Sequence, residues 1–294
     1  MVSACTLIGV LRVPACQQPP FGRATHARQH RWLPVAAWLC ALCLGVAAVA
    51  PASAATPLMI WPVDPMITEE QQAVAVWVEN RGVAAVSLQV RVMDWSQTEG
   101  EEFLSSQKEI VASPPISVIP PGKRQMVRLI ASRPVPPELE VAYRVLIDEL
   151  PAPDDLSASD PQSEAGMGIR LKVRYAIPLF VYGSGAQPFR ATHSQAQRSG
   201  KGKPLPPELT WNVVKDGKGH RLAVRNKGKG HARITAVRWG TSQPRPDVTI
   251  NEGLMGYVLP NSQMRWELQA PPPGDPVLKA NINGHETLVP RGAE

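Results

Sequence analysis

The side chains best suited to acid–base catalysis are two groups of acids. Glu99, Glu101 and Glu102 are close in sequence, and Asp148 and Glu149 are adjacent. A catalytic pair needs two carboxyl groups that face one reacting group, but neighbouring residues on a strand point to opposite faces. We therefore interpret these acids as solvated side chains.

The sequence also contains no motif typical of a metal site or of a phosphate-binding loop. The residues downstream of position 54 contain no cysteine, and no histidine there has a second ligand at metal-binding spacing; these histidines are His193, His220, His231 and His285. The Lys-Gly repeats at 200–203 and 227–230 lack the Ser or Thr of a phosphate loop, and no Gly-x-Ser-x-Gly elbow occurs. The sequence predicts a binding protein rather than an enzyme, with no cofactor and no metal.

The N-terminal segment is typical of an export signal. The apolar run from Trp32 to Val49 follows a basic cluster and ends at Ala52-Ser53-Ala54, a small-residue spacing that a signal peptidase accepts. We expect residues 1–54 to be a cleaved signal peptide; the alternative is a membrane anchor, for which this run is short and interrupted by Pro34. After cleavage we expect no membrane span.

The cysteines and the excess charge both belong to this leader. Cys5, Cys16, Cys40 and Cys43 all precede residue 55, so the exported chain is expected to fold without disulfides. The leader also holds four arginines and no acids, which accounts for most of the excess of 31 basic over 25 acidic residues. The basic charge therefore gives no reason to expect a nucleic-acid partner.

The chain from Leu58 to Tyr182 has the pattern of a β-protein. Short runs, among them residues 73–78, 86–93 and 125–130, alternate with period two and are separated by turn clusters, and no window keeps a helical apolar period. After the polar, acidic segment 151–166 comes an unusually long predicted strand, Met167–Tyr182. Its length of some 16 residues is well above the usual 5 to 6 or so, which indicates that part of it serves something other than its own sheet.

The second half has a similar character without a convincing sequence repeat. Residues 183–207 are rich in Gly, Ser, Lys and Pro and are predicted to be a connector. Seven short strands are predicted after it, which fits a second β-sandwich. They are Trp211–Val214, Arg221–Asn226, Ala232–Trp239, Met255–Val258, Met264–Leu268, Lys279–Ile282 and His285–Val289.

Six short motifs follow one another along the chain: Ile60-Trp61-Pro62, Val78-Glu79-Asn80, Ser113-Pro114-Pro115, Ile119-Pro120-Pro121-Gly122-Lys123, the run from Tyr143 to Pro151, and Ile177-Pro178-Leu179-Phe180-Val181. In this order they resemble the periplasmic pilus-assembly chaperones of the PapD-like family. The form of the last two looks most like the archaic branch, which assembles Csu-type or spore-coat-U-type pili.

The resemblance implies a fold and a function. The fold is all-β, with two immunoglobulin-like β-sandwich domains arranged as an L or boomerang, at residues 55–183 and 184–294. The function is that of a periplasmic chaperone that stabilises pilus subunits by donor-strand complementation and delivers them to an outer-membrane usher. In this mode an extended strand completes the partner's sheet, and alternate side chains fill pockets.

The resemblance also assigns site residues. The donor residues are Met167, Ile169, Leu171 and Val173, although alternating residues of most strands simply face their own core. In the better-known branch an Arg and a Lys hold the subunit's terminal carboxylate, but Leu58 and Pro178 stand at those places here. The candidate anchors are therefore other cations, each of which can equally be a solvated surface charge: Arg144, Arg174, Lys172 and Arg128.

Two other functions remain open at this level. One is an exported two-sandwich binding or adhesion module that never donates a strand. The other is an exported hydrolase whose catalytic residues are dispersed in sequence, which would need a pocket where acid, base and nucleophile converge.

Overall fold

The computed structural model describes residues 57–151, 172–189, 202–217, 219–241 and 246–292. The chain divides into two compact units, Met1–Ala52 and Ser53–Glu294, and every described residue belongs to the second. The predicted signal peptide, residues 1–54, and residues 152–171 lie outside the described residues. The predicted all-β class is confirmed, since the described ranges contain strands and no helix.

The N-terminal half of the described chain has two facing sheets. Its strands are β1 (Leu58–Trp61), β2 (Met66–Ile67), β3 (Ala73–Asn80), β4 (Val86–Thr98), β5 (Glu101–Ser106), β6 (Ile110–Ser113), β7 (Ile116–Ile119), β8 (Arg124–Ala131), β9 (Glu140–Glu149) and β10 (Arg174–Tyr182). One sheet has the order β1-β3-β8-β6. The other has the order β2-β10-β9-β4-β5, with β7 paired to β4.

The C-terminal half repeats this layering. Its strands are β11 (Ala186–Pro188), β12 (Lys203–Leu205), β13 (Leu209–Asp216), β14 (Gly219–Asn226), β15 (Ala232–Thr241), β16 (Val248–Val258), β17 (Gln263–Leu268), β18 (Pro276–Ile282) and β19 (His285–Val289). The sheets have the orders β13-β14-β17 and β16-β15-β18-β19. All seven predicted strands of this half are present, most of them longer than predicted. The predicted connector also contains the parallel pair β11–β12.

Alternation builds the first core, as the sequence predicts. Val86, Leu88, Val90 and Val92 of β4 are buried. They pack with inward residues of β3, β8, β9 and β10. Further along β4, Trp95 becomes the buried residue on the other face, because the C-terminal half covers that face.

A buried asparagine closes the corresponding turn in each half. Asn80 at the end of β3 donates to the carbonyl oxygens of Ala84 and Ile119 at 2.7 and 2.9 Å. Asn226 at the end of β14 donates to those of Gly230 and Val258 at 2.8 and 3.1 Å. Both side chains have 0 % exposure, so the amide replaces water for carbonyls that the fold has buried.

A third apolar cluster joins the two halves. Trp95 and Phe180 from the first half pack against Tyr257 and Leu259 of the second. The buried Gln97 amide connects the same elements: its Nε2 donates to Tyr257 O, and Leu259 N donates to its Oε1, both at 2.9 Å. This contact fixes the position of β16 against β4.

Candidate functional site

The strand β10 has an open edge over most of its length. It pairs with β9 along all of Arg174–Tyr182, but its other side meets only β2, at Phe180 and Val181. Among the described residues, no strand pairs with the other side of residues 174–179. This stretch is therefore a sheet edge that can accept another strand.

The hydrogen bonding of Phe180 shows which backbone groups face that edge. Its N–H points away from β9, toward the carbonyl oxygen of Pro65 at 3.4 Å. Because successive residues of a strand direct their backbone groups to opposite sides, Arg174, Ala176 and Pro178 face the open edge as well. Pro178 has no N–H to donate. Because its nitrogen faces the open edge, the proline removes no hydrogen bond between β9 and β10.

The inward side chains of β10 are already part of the first core. Ile177, Leu179 and Val181 are buried in it, and Tyr175 packs against it. Val173 is half-buried and precedes the first residue of β10. The predicted strand Met167–Tyr182 is thus present from Arg174 onward. The predicted donor residues Met167, Ile169 and Leu171 lie outside the described residues.

Beside the open edge lies a cleft of about 560 Å³. Ala176, Ile177 and Pro178 of β10 line it, together with Arg233 and Tyr257 of the C-terminal half. The ionisable side chains that line it are Asp64, Arg144, His231, Arg233 and Tyr257. A strand placed on the edge of β10 would run alongside this mixed apolar and cationic cleft.

Arg144 is held between an aromatic platform and a carboxylate. It stands opposite Pro178 on β9, and its Cζ lies 3.5 Å from the Trp95 ring centroid. Its Nη2 is 3.0 and 3.2 Å from the two carboxylate oxygens of Glu102. Only 13 % of the side chain is exposed. Stacking and the ion pair together fix a cation at the cleft, which is what anion binding requires.

His231 belongs to the contact between the halves. Its Nδ1 lies 3.0 Å from Glu140 Oε1, and its backbone N–H donates to the same oxygen at 2.8 Å. Its ring stacks on Phe180 with 3.5 Å between centroids. Sequence reasoning treated His231 as isolated, because Glu140 is 91 residues away in the chain.

Tyr257 and Arg233 complete the cleft from the C-terminal half, and sequence reasoning missed both. They face each other across β15 and β16. Burial raises the pKa of Tyr257, while the nearby guanidinium of Arg233 opposes that shift. Nothing in the local sequence distinguishes Arg233 from other strand arginines, so only its position in the fold identifies it.

The remaining candidate anchors lie elsewhere. Arg174 is 60 % exposed and pairs with Asp148, which Arg91 also contacts at 2.7 Å. Burial acts to raise the pKa of Asp148, but hydrogen bonds from Arg174 and Arg91 outweigh it, so the pKa is lowered. Lys172 is exposed before β10, and Arg128 is exposed on β8 of the other sheet. The structure therefore brings Arg144 into the cleft and keeps Arg128 away from it.

The acids considered for catalysis are separated by this arrangement. Glu102 pairs with Arg144, whereas Asp148 pairs with Arg91 and Arg174. Within the described ranges, no group of three His, Cys, Asp or Glu side chains could hold a metal ion. No helix in that same part of the chain is long and apolar enough to cross a membrane.

Comparison with known family models gives a match within the N-terminal half. Residues 62–186 match the family described as pili and flagellar-assembly chaperone, PapD N-terminal domain. A comparison with curated protein sequences gave no significant match.

Solved structures match over both halves. The crystal structure of the CsuC–CsuE chaperone–tip adhesion subunit pre-assembly complex, from archaic chaperone-usher Csu pili of Acinetobacter baumannii, gives 29% identity and a TM-score of 0.57. That match covers 79% of this chain and 97% of the other.

Two further structures share the fold at lower identity. The YadV chaperone is 17% identical, with a TM-score of 0.50 and coverage of 79% and 96% of the two chains. The E. coli chaperone DraB is 14% identical, with a TM-score of 0.50 and coverage of 81% and 98%.

Proposed function

We propose that this chain belongs to the pili and flagellar-assembly chaperones, whose N-terminal domain residues 62–186 match, and that it binds pilus subunits and stabilises them by lending them a strand. The observation that carries this proposal is the open edge of β10. Residues 174–179 have a pairing partner on one side only among the described residues. A subunit that lacks one strand of its own sheet can gain it at this edge through backbone hydrogen bonds.

The inward row of β10 supports a specific set of donor residues. Tyr175, Ile177 and Leu179 face the core of the N-terminal half. In an extended chain, Met167, Ile169, Leu171 and Val173 continue the same row toward the N-terminus. Each large apolar side chain is worth about 1.5–3 kcal/mol when fully buried, so these residues can stabilise a partner's incomplete core by several kcal/mol before ordering costs.

The anchor for the subunit's terminal carboxylate is Arg144 in this proposal. It lines the cleft beside the open edge and is held in place by Trp95 and Glu102. Arg174, which is largely exposed and already paired with Asp148, and the exposed Lys172 are weaker candidates. Arg128 belongs to the sheet that does not border the cleft.

The wider role follows from the family. We place the protein in the periplasm after removal of residues 1–54, with a chaperone domain at 55–183 and a second β-sandwich at 184–294. Its further partner is an outer-membrane usher, to which it delivers the bound subunit. Because the family is one of chaperones, no reaction is assigned to the cleft.

A double substitution tests strand donation. Ile169→Asp with Leu171→Asp places two charges where the proposal needs apolar contacts, so co-purification of a co-expressed pilus subunit from the periplasm should be lost. The matched control is Ile116→Asp with Val118→Asp, because these side chains are 54% and 61% exposed on β7. Control protein should retain the subunit.

The same experiment can also contradict strand donation. If the Ile169/Leu171 variant is folded by circular dichroism and still retains the subunit, the protein is a binding module that does not donate this strand.

A further inference from the structure

The strand β5 is a second open edge of the sheet that contains β10. It is the last strand in the order β2-β10-β9-β4-β5, and among the described residues it pairs only with β4. Every residue of Glu101–Ser106 is exposed, including Phe103 at 51% and Leu104 at 44%. Because neighbouring residues of a strand point to opposite faces, each face of this edge carries one large apolar side chain.

The edge lacks several features that usually keep an edge strand from pairing. Such features are short length, lysine, proline and bulges. β5 has six residues without Lys or Pro, and its register with β4 is regular from Glu101 to Ser106. By contrast, the end strands of the facing sheet, β1 and β6, have four residues each, and the end strand β16 contains register shifts. The outer edge of β5 is therefore suited to pair with a further strand.

The hydrogen bonds of β4 show which of its backbone groups point toward β5. Val90 N–H donates to the carbonyl oxygen of Pro115 at 2.7 Å. The carbonyl oxygen of Val92 accepts from the side-chain amide of Gln107 at 2.9 Å. Both donors and acceptors lie on the side of β4 away from β9, which is also the side of β5. By alternation, Asp94 and Ser96 point to that side as well.

The register of β5 then gives its free backbone groups. Ser105 lies opposite Asp94, and Phe103 lies opposite Ser96, so these residues bond to β4. Their neighbours direct their N–H and C=O groups to the outer edge, and these neighbours are Glu102, Leu104 and Ser106.

The charge pattern of β5 favours a second copy of the same strand in the antiparallel direction. Both acids, Glu101 and Glu102, are at one end, and Ser105 and Ser106 are at the other. Antiparallel copies place the acids of each strand beside the serines of the other, whereas parallel copies in register place acid beside acid. An antiparallel pair is also closed by a two-fold axis. The strand is thus complementary to itself.

The two-fold axis places one residue opposite its own copy. With Leu104 on the axis, Leu104 pairs with its copy and Glu102 pairs with Ser106, so all the free backbone groups of the edge form hydrogen bonds. The two Leu104 side chains then meet on one face. On the other face Phe103 and its copy are diagonal neighbours, a separation that aromatic side chains can span.

We propose that the outer edge of β5 joins two copies of this protein into an antiparallel dimer centred on Leu104. An edge of six residues is small beside the interfaces of stable dimers, so the dimer is transient, with a micromolar dissociation constant. β9 and β4 separate β5 from β10 in the sheet, so the dimer leaves the open edge of β10 available. The inference is therefore independent of subunit binding.

Sedimentation velocity of the exported chain, over a roughly hundredfold range of protein concentration, tests the dimer. The unsubstituted chain should pass from monomer to dimer as the concentration rises. Leu104→Lys places two like charges opposite each other at the axis, so the dissociation constant should rise at least about tenfold. The matched control is Leu288→Lys, because Leu288 is 63% exposed on β19, and this variant should dimerise like the unsubstituted chain.

A cysteine variant tests the register. Residues 55–294 contain no cysteine, so Leu104→Cys gives the exported chain a single thiol. Residues opposite each other on paired strands are close enough for a disulfide, so mild oxidation should link two Leu104→Cys chains. Leu288→Cys should remain largely unlinked under the same conditions. Equal linkage of the two variants would mean that Leu104 does not lie at the axis.

Two results would overturn the inference. One is an unsubstituted chain that sediments as a monomer at every concentration. The other is a Leu104→Lys variant that is folded by circular dichroism and associates as tightly as the unsubstituted chain.

A pilus subunit added to the same samples separates this inference from the proposed function. Leu104→Lys should lose the dimer and retain the subunit. Loss of subunit binding with an unchanged monomer–dimer equilibrium would assign the edge of β5 to the subunit instead of to a second copy. If the unsubstituted chain dimerises but binds no subunit, the dimer stands and the proposed function is wrong.

Discussion

Arg144 is the residue whose surroundings are most fully determined. The Trp95 ring lies under its guanidinium, and Glu102 occupies one edge of it in the free protein. An incoming carboxylate must then share or displace Glu102. Because 37 % of the Glu102 side chain is exposed, solvent screens this ion pair and displacing it costs little.

This competition gives a prediction for Glu102→Gln. Removing the charge leaves Arg144 on its Trp95 platform but without a competing anion, so a subunit ending in a carboxylate should bind about threefold more tightly. Titration calorimetry measures the change. Glu101→Gln is the matched control, because Glu101 is an exposed neighbour on the same strand that makes no contact with Arg144. Unchanged or weaker binding by Glu102→Gln would contradict the competition.

At the scale of elements, period-two alternation predicted the strands that have one buried face. It found β3, the first part of β4, β8 and all seven strands β13–β19. It did not find β5, because every residue of Glu101–Ser106 is exposed and gives no alternation. The extension of β4 to Thr98 was also missed. Its buried residues there, Trp95 and Gln97, lie on the opposite face of the strand from Val86–Val92, because that face is covered by the C-terminal half.

The candidate site also has a part that the sequence predicted and a part that it did not. The open edge follows from a strand that the sequence predicted, and Arg144 was among the candidates. The cleft could not be predicted, because Arg144, His231, Arg233 and Tyr257 come from distant segments and meet only through packing of the two halves. Local alternation records which face is buried, but not what covers it.

At the scale of the whole molecule, polar and aromatic contacts couple the halves. Gln97, His231 and Phe180 all contribute to them. Gln97 is 7 % exposed and supplies both a donor and an acceptor to the β16 backbone. The shared cluster positions β15 and β16 beside the edge of β10, so the cleft depends on this contact.

Removing the Gln97 amide should therefore destabilise the protein. Gln97→Ala leaves the Tyr257 carbonyl oxygen and the Leu259 N–H without their partner, at a cost of about 2–4 kcal/mol in the free energy of unfolding. Urea denaturation measures this. Gln89→Ala, on the half-exposed part of the same strand, should change the free energy by less than about 0.5 kcal/mol. Equal effects of the two substitutions would mean that the Gln97 amide does not couple the halves.

A bound subunit strand is expected to pair with the free side of β10, and amide hydrogen exchange followed by NMR tests this pairing residue by residue. In the free protein, Tyr175 and Ile177 should be protected by β9, whereas Ala176 and Arg174 should exchange quickly. On binding a pilus subunit, Ala176 and Arg174 should become protected while Tyr175 and Ile177 remain so. A stable complex in which Ala176 and Arg174 still exchange at the rates of the free protein would mean that the subunit does not pair with β10.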